Sequence, residues 1–180
     1  MKIIGIGGSL RENSQTQMAL EIVMHKIAGH DVSIDLLKLR DFHLPFFDGS
    51  SDYPAFPDVN KLRDFVKTSD GIVLATPEYH SSVSGVLKNA LDLLDFEYAE
   101  GKVFALISVV GGPASSNAIN SLRIICRSLH AWVIPEQVII SESGQAFDEN
   151  GKTRDPHLTK RLHDLADQLV KHATTLRVKS

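Results

Sequence analysis

Between Gly7 and Thr16 the chain reads GGSLRENSQT, which combines a glycine pair, three hydroxyls and one guanidinium. Ser9, Ser14 and Thr16 can donate hydrogen bonds, and Arg11 adds a fixed positive charge just before a segment of helical period begins. The first backbone N–H groups of such a helix are free as well, so this run has the donors of a site for a single phosphate dianion. Two common phosphate loops do not fit. Gly5 and Gly7 open a G-x-G-x-x-G pattern, but Leu10 stands where its last glycine belongs, and no Gly-Lys-Ser/Thr occurs at the Walker offset. A terminal phosphate suits the loop better than a buried pyrophosphate, which implies a mononucleotide such as FMN. The alternative for the same residues is a plain helix start, with Ser14 as its cap and Arg11 in solvent.

A second polar stretch, TPEYHSSVSGVLKNALD over Thr76–Asp92, follows an apolar run that Pro77 stops. Its small polar residues from Ser81 to Gly85 let main-chain groups approach a flat heterocycle with several acceptors. His80 is the most tempting candidate there for acid–base work. Cys126 lies on an apolar stripe and reads as packing rather than as a nucleophile. The eight histidines show no metal-ligand spacing, and Asp41, His43 and Asp48 are the weakest of groupings, so no metal site is expected.

Loops of this kind need a frame that brings them to one edge. The runs Lys2–Gly7, Gly71–Thr76 and Lys102–Val110 are continuously apolar, as burial on both faces of a parallel sheet demands. Asp31–Leu37 alternates and fits an edge strand, and Trp132–Ile140 contains Pro135, which is tolerated at an edge or a strand end. Helical stripes lie between them: Met18, Ile22, Val23 and Ile27 after Ser14; Val59, Leu62 and Val66 after Asp58; Leu87, Ala90, Leu91 and Leu94 after Ser84. Two more follow, Ala118, Leu122, Ile125 and Leu129, then Leu158, Leu162, Leu165 and Leu169 after Asp155-Pro156. The alternating order predicts an α/β fold, a doubly wound sheet of about five parallel strands with helices on both faces, in one domain over residues 1–180. Ligands of such sheets bind beyond the carboxyl ends of the strands, so the loops after the first, third and fourth strands are the ones to converge. Phe42–Pro57, with four phenylalanines, one tyrosine and three prolines, fits no period; it is either functional or an aromatic cover for the sheet edge or a subunit contact.

The 19 basic and 22 acidic side chains leave a net charge of −3 with both signs interspersed, which advertises neither nucleic acid nor an anionic membrane as partner. The sparse basic tail Lys171–Lys179 reads as a frayed helix end. A single cysteine excludes an internal disulfide framework and points to a reducing compartment. No apolar stretch approaches the length of a membrane span, and the amino terminus lacks a signal-peptide pattern, so a cytoplasmic protein is expected.

GSLRENS at Gly8–Ser14, the Thr76–Asp92 stretch, and Gly111-Gly112 followed by Asn117, Asn120 and Arg123 resemble the NADPH-dependent FMN reductase family of flavodoxin-like proteins, which includes azoreductases and quinone reductases. The resemblance runs from residue 1 to about 140, and PEYHS with Trp132-Val133-Ile134-Pro135 is most similar to the azobenzene and FMN reductase branch. It implies a non-covalently held FMN, NADPH (less strongly NADH) as hydride donor, and a small-molecule electron acceptor: a quinone, an azo compound or free flavin. It also implies ping-pong kinetics and a homodimer or homotetramer with the flavin near the subunit boundary, the aromatic stretch and Trp132 being candidates for that contact. Residue by residue, it puts the phosphate on Ser9, Arg11, Ser14 and Thr16, with Gln15 in the same site. It puts the isoalloxazine on Pro77, Glu78, Tyr79, His80 and Ser81, with Gly111 and Gly112 near the ring edge. Many members have Asn where this chain has Thr16 and His80; Thr16 keeps a hydroxyl donor, while His80 bears on the redox tuning of the ring. No catalytic side chain is assigned, because hydride transfer from nicotinamide to flavin needs no protein acid or base. The rival reading is a flavodoxin-type electron carrier, but such carriers dock through a strongly acidic face and −3 spread along the chain offers little. An FMN-binding regulatory module would leave no mark of its own.

Overall fold

The computed structural model describes residues 1–177, and in it each of the five apolar runs is a strand of one parallel sheet. The strands β1 (Lys2–Gly7), β2 (Ser33–Lys38), β3 (Gly71–Pro77), β4 (Val103–Val109) and β5 (Trp132–Ile140) stand in the order β2-β1-β3-β4-β5. Every residue of β3 and β4 is buried, and the period of two divides them between two cores. Val73, Ala75, Val103, Ala105 and Ile107 face α1 (Gln15–Ala28) and α6 (Pro156–Leu176), which contribute Leu20, Val23, Ile27, Leu162, Leu165 and Leu169. Ile72, Leu74, Phe104 and Leu106 face α2 (Pro57–Lys67), α3 (Gly85–Asp92) and α5 (Asn117–Ser128), which contribute Leu62, Val66, Leu87, Leu91 and Leu122. A four-residue helix, α4 (Phe96–Ala99), and two 3-10 turns at Leu39–Asp41 and Ser143–Gln145 fill the connections. Strand order reverses between β1 and β3, so the loops leaving these two strands diverge and open a crevice there.

Side chains set most helix starts where the sequence places them. Ser14, Ser84 and Asp155 accept from Gln17, Leu87 and His157 N–H, and Pro156 takes the first position of α6. Asp58 is an exception: α2 begins at Pro57, and the Asp58 carboxylate accepts from His43 N–H at 2.7 Å instead. Leu94 lies beyond the end of α3 and packs from the following turn. Helix α6 runs unbroken to Leu176, so the frayed end expected from Lys171 does not begin there; Lys179 lies outside the described residues.

β5 is an edge strand, and Pro135 sits where its register against β4 slips between Phe104 and Leu106. Arg123 of α5 reaches the carbonyls of that irregularity, donating to Ile134 O at 3.1 Å, Pro135 O at 3.0 Å and Gln137 Oε1 at 2.7 Å. The turn between α5 and β5 holds His130 at φ 58°, with Ala131 N–H bonded to Cys126 O in the manner of a Schellman cap. Glycine is the residue that geometry favours. His130→Gly is therefore expected to raise stability by about 1 kcal/mol, less what its tilted ring contact with Phe96 contributes, measurable as a higher urea midpoint with an unchanged slope.

The aromatic stretch after β2 is tied down without regular structure. Phe47 N–H donates to Asn89 Oδ1 and Asn89 Nδ2 donates to Pro45 O, both at 2.9 Å. The nearly buried Arg63 donates to Leu93 O and Ser51 O, and its guanidinium lies 5.9 Å and 5.5 Å from the Tyr53 and Tyr98 rings. Asp48 accepts from Ser50 N–H and from the Tyr53 hydroxyl, and these bonds hold its carboxyl below the usual carboxylate range. Phe46, between the two bonds to Asn89, is left 89% exposed.

Candidate cofactor-binding site

Gly8 joins the first and third loops. Its N–H donates to Ala75 O at 2.8 Å, and its carbonyl accepts from Ser84 Oγ at 2.6 Å while the same oxygen caps α3. Thr76 Oγ1 in turn accepts from Ser84 N–H at 3.1 Å. Close packing here falls to Gly7 and Gly8, whereas Leu10 is 53% exposed and takes no part in it. On the other side Glu78 N–H donates to Val109 O, and the Glu78 carboxylate accepts from Ala118 N–H at 3.0 Å, satisfying the start of α5, which Ser116 leaves without a side-chain cap. Beyond β5, Ser143 Oγ donates to Gln15 Oε1 at 3.0 Å.

These bonds surround a cleft of about 200 Å³. Ser9, Arg11, Ser14, Gln15 and Thr16 line it from the first loop, Pro77, Glu78 and Tyr79 from the third, and Gly111 from the fourth. His80, Ser81 and Gly112 stand beside the lining rather than on it. Asn13, Val109 and Ser143 complete the wall and are additions to the sequence reading. Ser143 was missed because the loop after β5 was not among those considered; the rule that ligands gather beyond the strand ends already pointed to it. Asn13 lies within the quoted loop, but an amide is less telling than a hydroxyl.

The first loop is electropositive by construction. No acidic residue occurs in the first turn of α1, and the N–H groups of Gln15 and Thr16 have no partner among the described residues. The exposed Arg11 guanidinium is likewise unpaired among them: Arg40, not Arg11, meets Glu12, and it also donates to Arg11 O at 3.2 Å. Ser9, Ser14 and Thr16 are buried. In the third loop the N–H groups of Glu78 and Tyr79 are used internally, Tyr79 and Ser82 exchanging backbone bonds of 3.0 and 3.1 Å around a tight turn. His80 (φ 48°) and Ser81 (φ 61°) take left-handed conformations at its tip, and their N–H groups are free among the described residues. Histidine tolerates that conformation better than most residues. A Cβ on Gly111 or Gly112 would meet nothing within 4 Å, so space remains at the fourth loop. Hydroxyl and amide donors at one end and open backbone at the other fit a phosphate-bearing flavin.

Cys126 is buried and burial pushes its thiol up to about 12, which leaves it a packing group. Among the described residues no cluster of three or more His, Cys, Asp or Glu could hold a metal ion, and no helix is long and apolar enough to cross a membrane.

The family described as NADPH-dependent FMN reductase matches residues 1–145. The FMN-dependent NADPH-azoreductase of Staphylococcus aureus is 32% identical over 176 residues, 94% of either chain. Among solved structures, FerB, a flavoenzyme NAD(P)H:(acceptor) oxidoreductase from Paracoccus denitrificans, superposes with a TM-score of 0.80 at 24% identity, covering 98% of this chain and 99% of its own. An NADH:FMN oxidoreductase in its apo form gives 0.78 at 21% identity, covering 99% and 91%. Those two structures share the fold, while the matches along the sequence carry the lineage: the chain belongs to the NADPH-dependent FMN reductase family.

Proposed function

We propose that the chain, as a single FMN-binding domain over residues 1–180 in a cytoplasmic homodimer or homotetramer, oxidises NADPH, with NADH as the alternative donor, and reduces a quinone, an azo compound or free flavin. Its family makes it an oxidoreductase that works with FMN and NADPH. The observation that carries the reading is the unpaired Arg11 beside the acid-free first turn of α1, where the N–H groups of Gln15 and Thr16 have no partner among the described residues. Arg11, the hydroxyls of Ser9, Ser14 and Thr16, and the N–H groups of Gln15 and Thr16 bind the phosphate. Pro77, Glu78 and Tyr79 form the wall for the ring, with Gly111 and Gly112 leaving room at its edge. The free N–H groups of His80 and Ser81 are the third loop's remaining donors, available to a flavin acceptor atom as negative charge develops. FMN held there would supply the redox chemistry, hydride acceptance from the nicotinamide and electron delivery to the acceptor. The matching relatives are named as reductases, which does not favour an electron carrier.

His80 contributes conformation rather than a proton. His80→Asn, which also tolerates a left-handed φ, is expected to leave both half-reaction rates within about twofold in stopped flow; losses of the 10²-fold order of an acid–base group would assign it a catalytic role. The function itself is tested by following NADPH oxidation by the FMN-loaded protein with menadione, methyl red or FMN as acceptor. Turnover with parallel double-reciprocal lines is expected, and no oxidation with any acceptor by protein that holds FMN would overturn the reading.

A further inference from the structure

A larger cleft, of about 500 Å³, shares no residue with the cofactor site and lies between α1 and the start of α6. Its volume is that of a small-molecule pocket. Met18, Ile22 and His25 recur at helical spacing along one face of α1, Lys152 comes from the loop before α6, and His163 from α6 itself. The lone carboxylate on its wall, Glu21, is already engaged, by Lys38 Nζ and Gln17 Nε2 at 3.1 Å each. The side chains of Lys152, His25 and His163 have no hydrogen-bond or ion-pair partner among the described residues. The rim is fixed in advance. Asp148 accepts from the N–H groups of Asn150 and Lys152 at 2.9 Å, Gly151 N–H closes onto Asp148 O, and the hydroxyls of Thr153 and Thr159 bond to each other.

We propose that this groove is a second ligand site, taking a small organic anion with an apolar body, such as an aromatic carboxylate or sulfonate. The apolar body covers Met18 and Ile22, whose flexible and branched side chains accommodate varied shapes, and the anionic group meets Lys152 with the imidazoles as further donors. A neutral ligand would dehydrate Lys152 without replacing the lost hydration, so charge as well as shape selects the occupant.

The test uses 1-anilinonaphthalene-8-sulfonate as probe, titrated by fluorescence into FMN-saturated protein so that the cofactor cleft is filled. One saturable site is expected, weakened about tenfold or more by Lys152→Glu and by Ile22→Arg, with FMN affinity unchanged. The uncharged N-phenyl-1-naphthylamine is expected to bind at least about tenfold more weakly. Because Lys152 is exposed, Lys152→Glu keeps the fold and decides the matter if Ile22→Arg does not fold. Non-saturable binding, equal binding of the uncharged analogue, or binding unchanged in Lys152→Glu would overturn the proposal, whatever the outcome at the cofactor cleft.

Discussion

Gly8→Val is expected to lower stability by about 3 kcal/mol, a fall in Tm of about 6–12 °C, and to empty the cofactor cleft with it. A Cβ at this position would stand 2.8 Å from Leu87 Cβ, 3.0 Å from Ser84 Oγ and 3.2 Å from Ala75 O. None of these is the far end of a flexible side chain, so relief requires the first loop to move away from α3. That movement breaks the Gly8–Ala75 and Ser84–Gly8 bonds and turns Ser9 out of the cleft. Gly111→Ala is the natural comparison. It adds a methyl where nothing lies within 4 Å, so it leaves Tm unaltered and reports on the cleft alone. Thermal unfolding of both variants, with and without FMN, checks the contrast; a Gly8→Val protein that melts with the wild type would show that the two loops are not in tight contact.

Arg11→Ala separates binding from folding in the opposite sense. The guanidinium is exposed and has no partner among the described residues, so stability is expected to hold. A charge-assisted bond to phosphate contributes about 1.5–3 kcal/mol, so FMN affinity is expected to fall roughly 10- to 100-fold. Titration of apoprotein by quenching of flavin fluorescence measures it, and riboflavin, which has no phosphate, should bind wild type and variant alike. An undiminished FMN affinity would place the phosphate away from the first loop.

The frame was legible because burial leaves its mark on composition. Continuous apolar runs such as Val103–Val109 arise only where both faces are covered, and strand, helix and their order follow from that pattern. Local caps such as Ser14, Ser84 and Asp155 were legible for the same reason, each being a short-range bond between a side chain and its own backbone. What could not be read are bonds across the fold. Asp58 looks like a helix cap but serves His43, and nothing near Glu78 in the sequence announces that it caps the start of a helix forty residues later. Of the candidate site, Ser9, Arg11, Ser14, Gln15 and Thr16 of the first loop and Pro77, Glu78 and Tyr79 of the third line one cleft, His80 and Ser81 stand beside it, and Ser143 reaches it through the 3-10 turn after β5 and a bond to Gln15. The left-handed turn at His80 and Ser81 was equally hidden, since neither residue demands it as glycine would.

The crossing bonds from Gly8 to Ala75 and Ser84, from Glu78 to Ala118 and from Ser143 to Gln15 have a kinetic meaning. Walls stitched to one another have little left to rearrange when a guest arrives, so uptake of flavin by the empty protein should proceed as one bimolecular event, its observed rate climbing in proportion to concentration without levelling off.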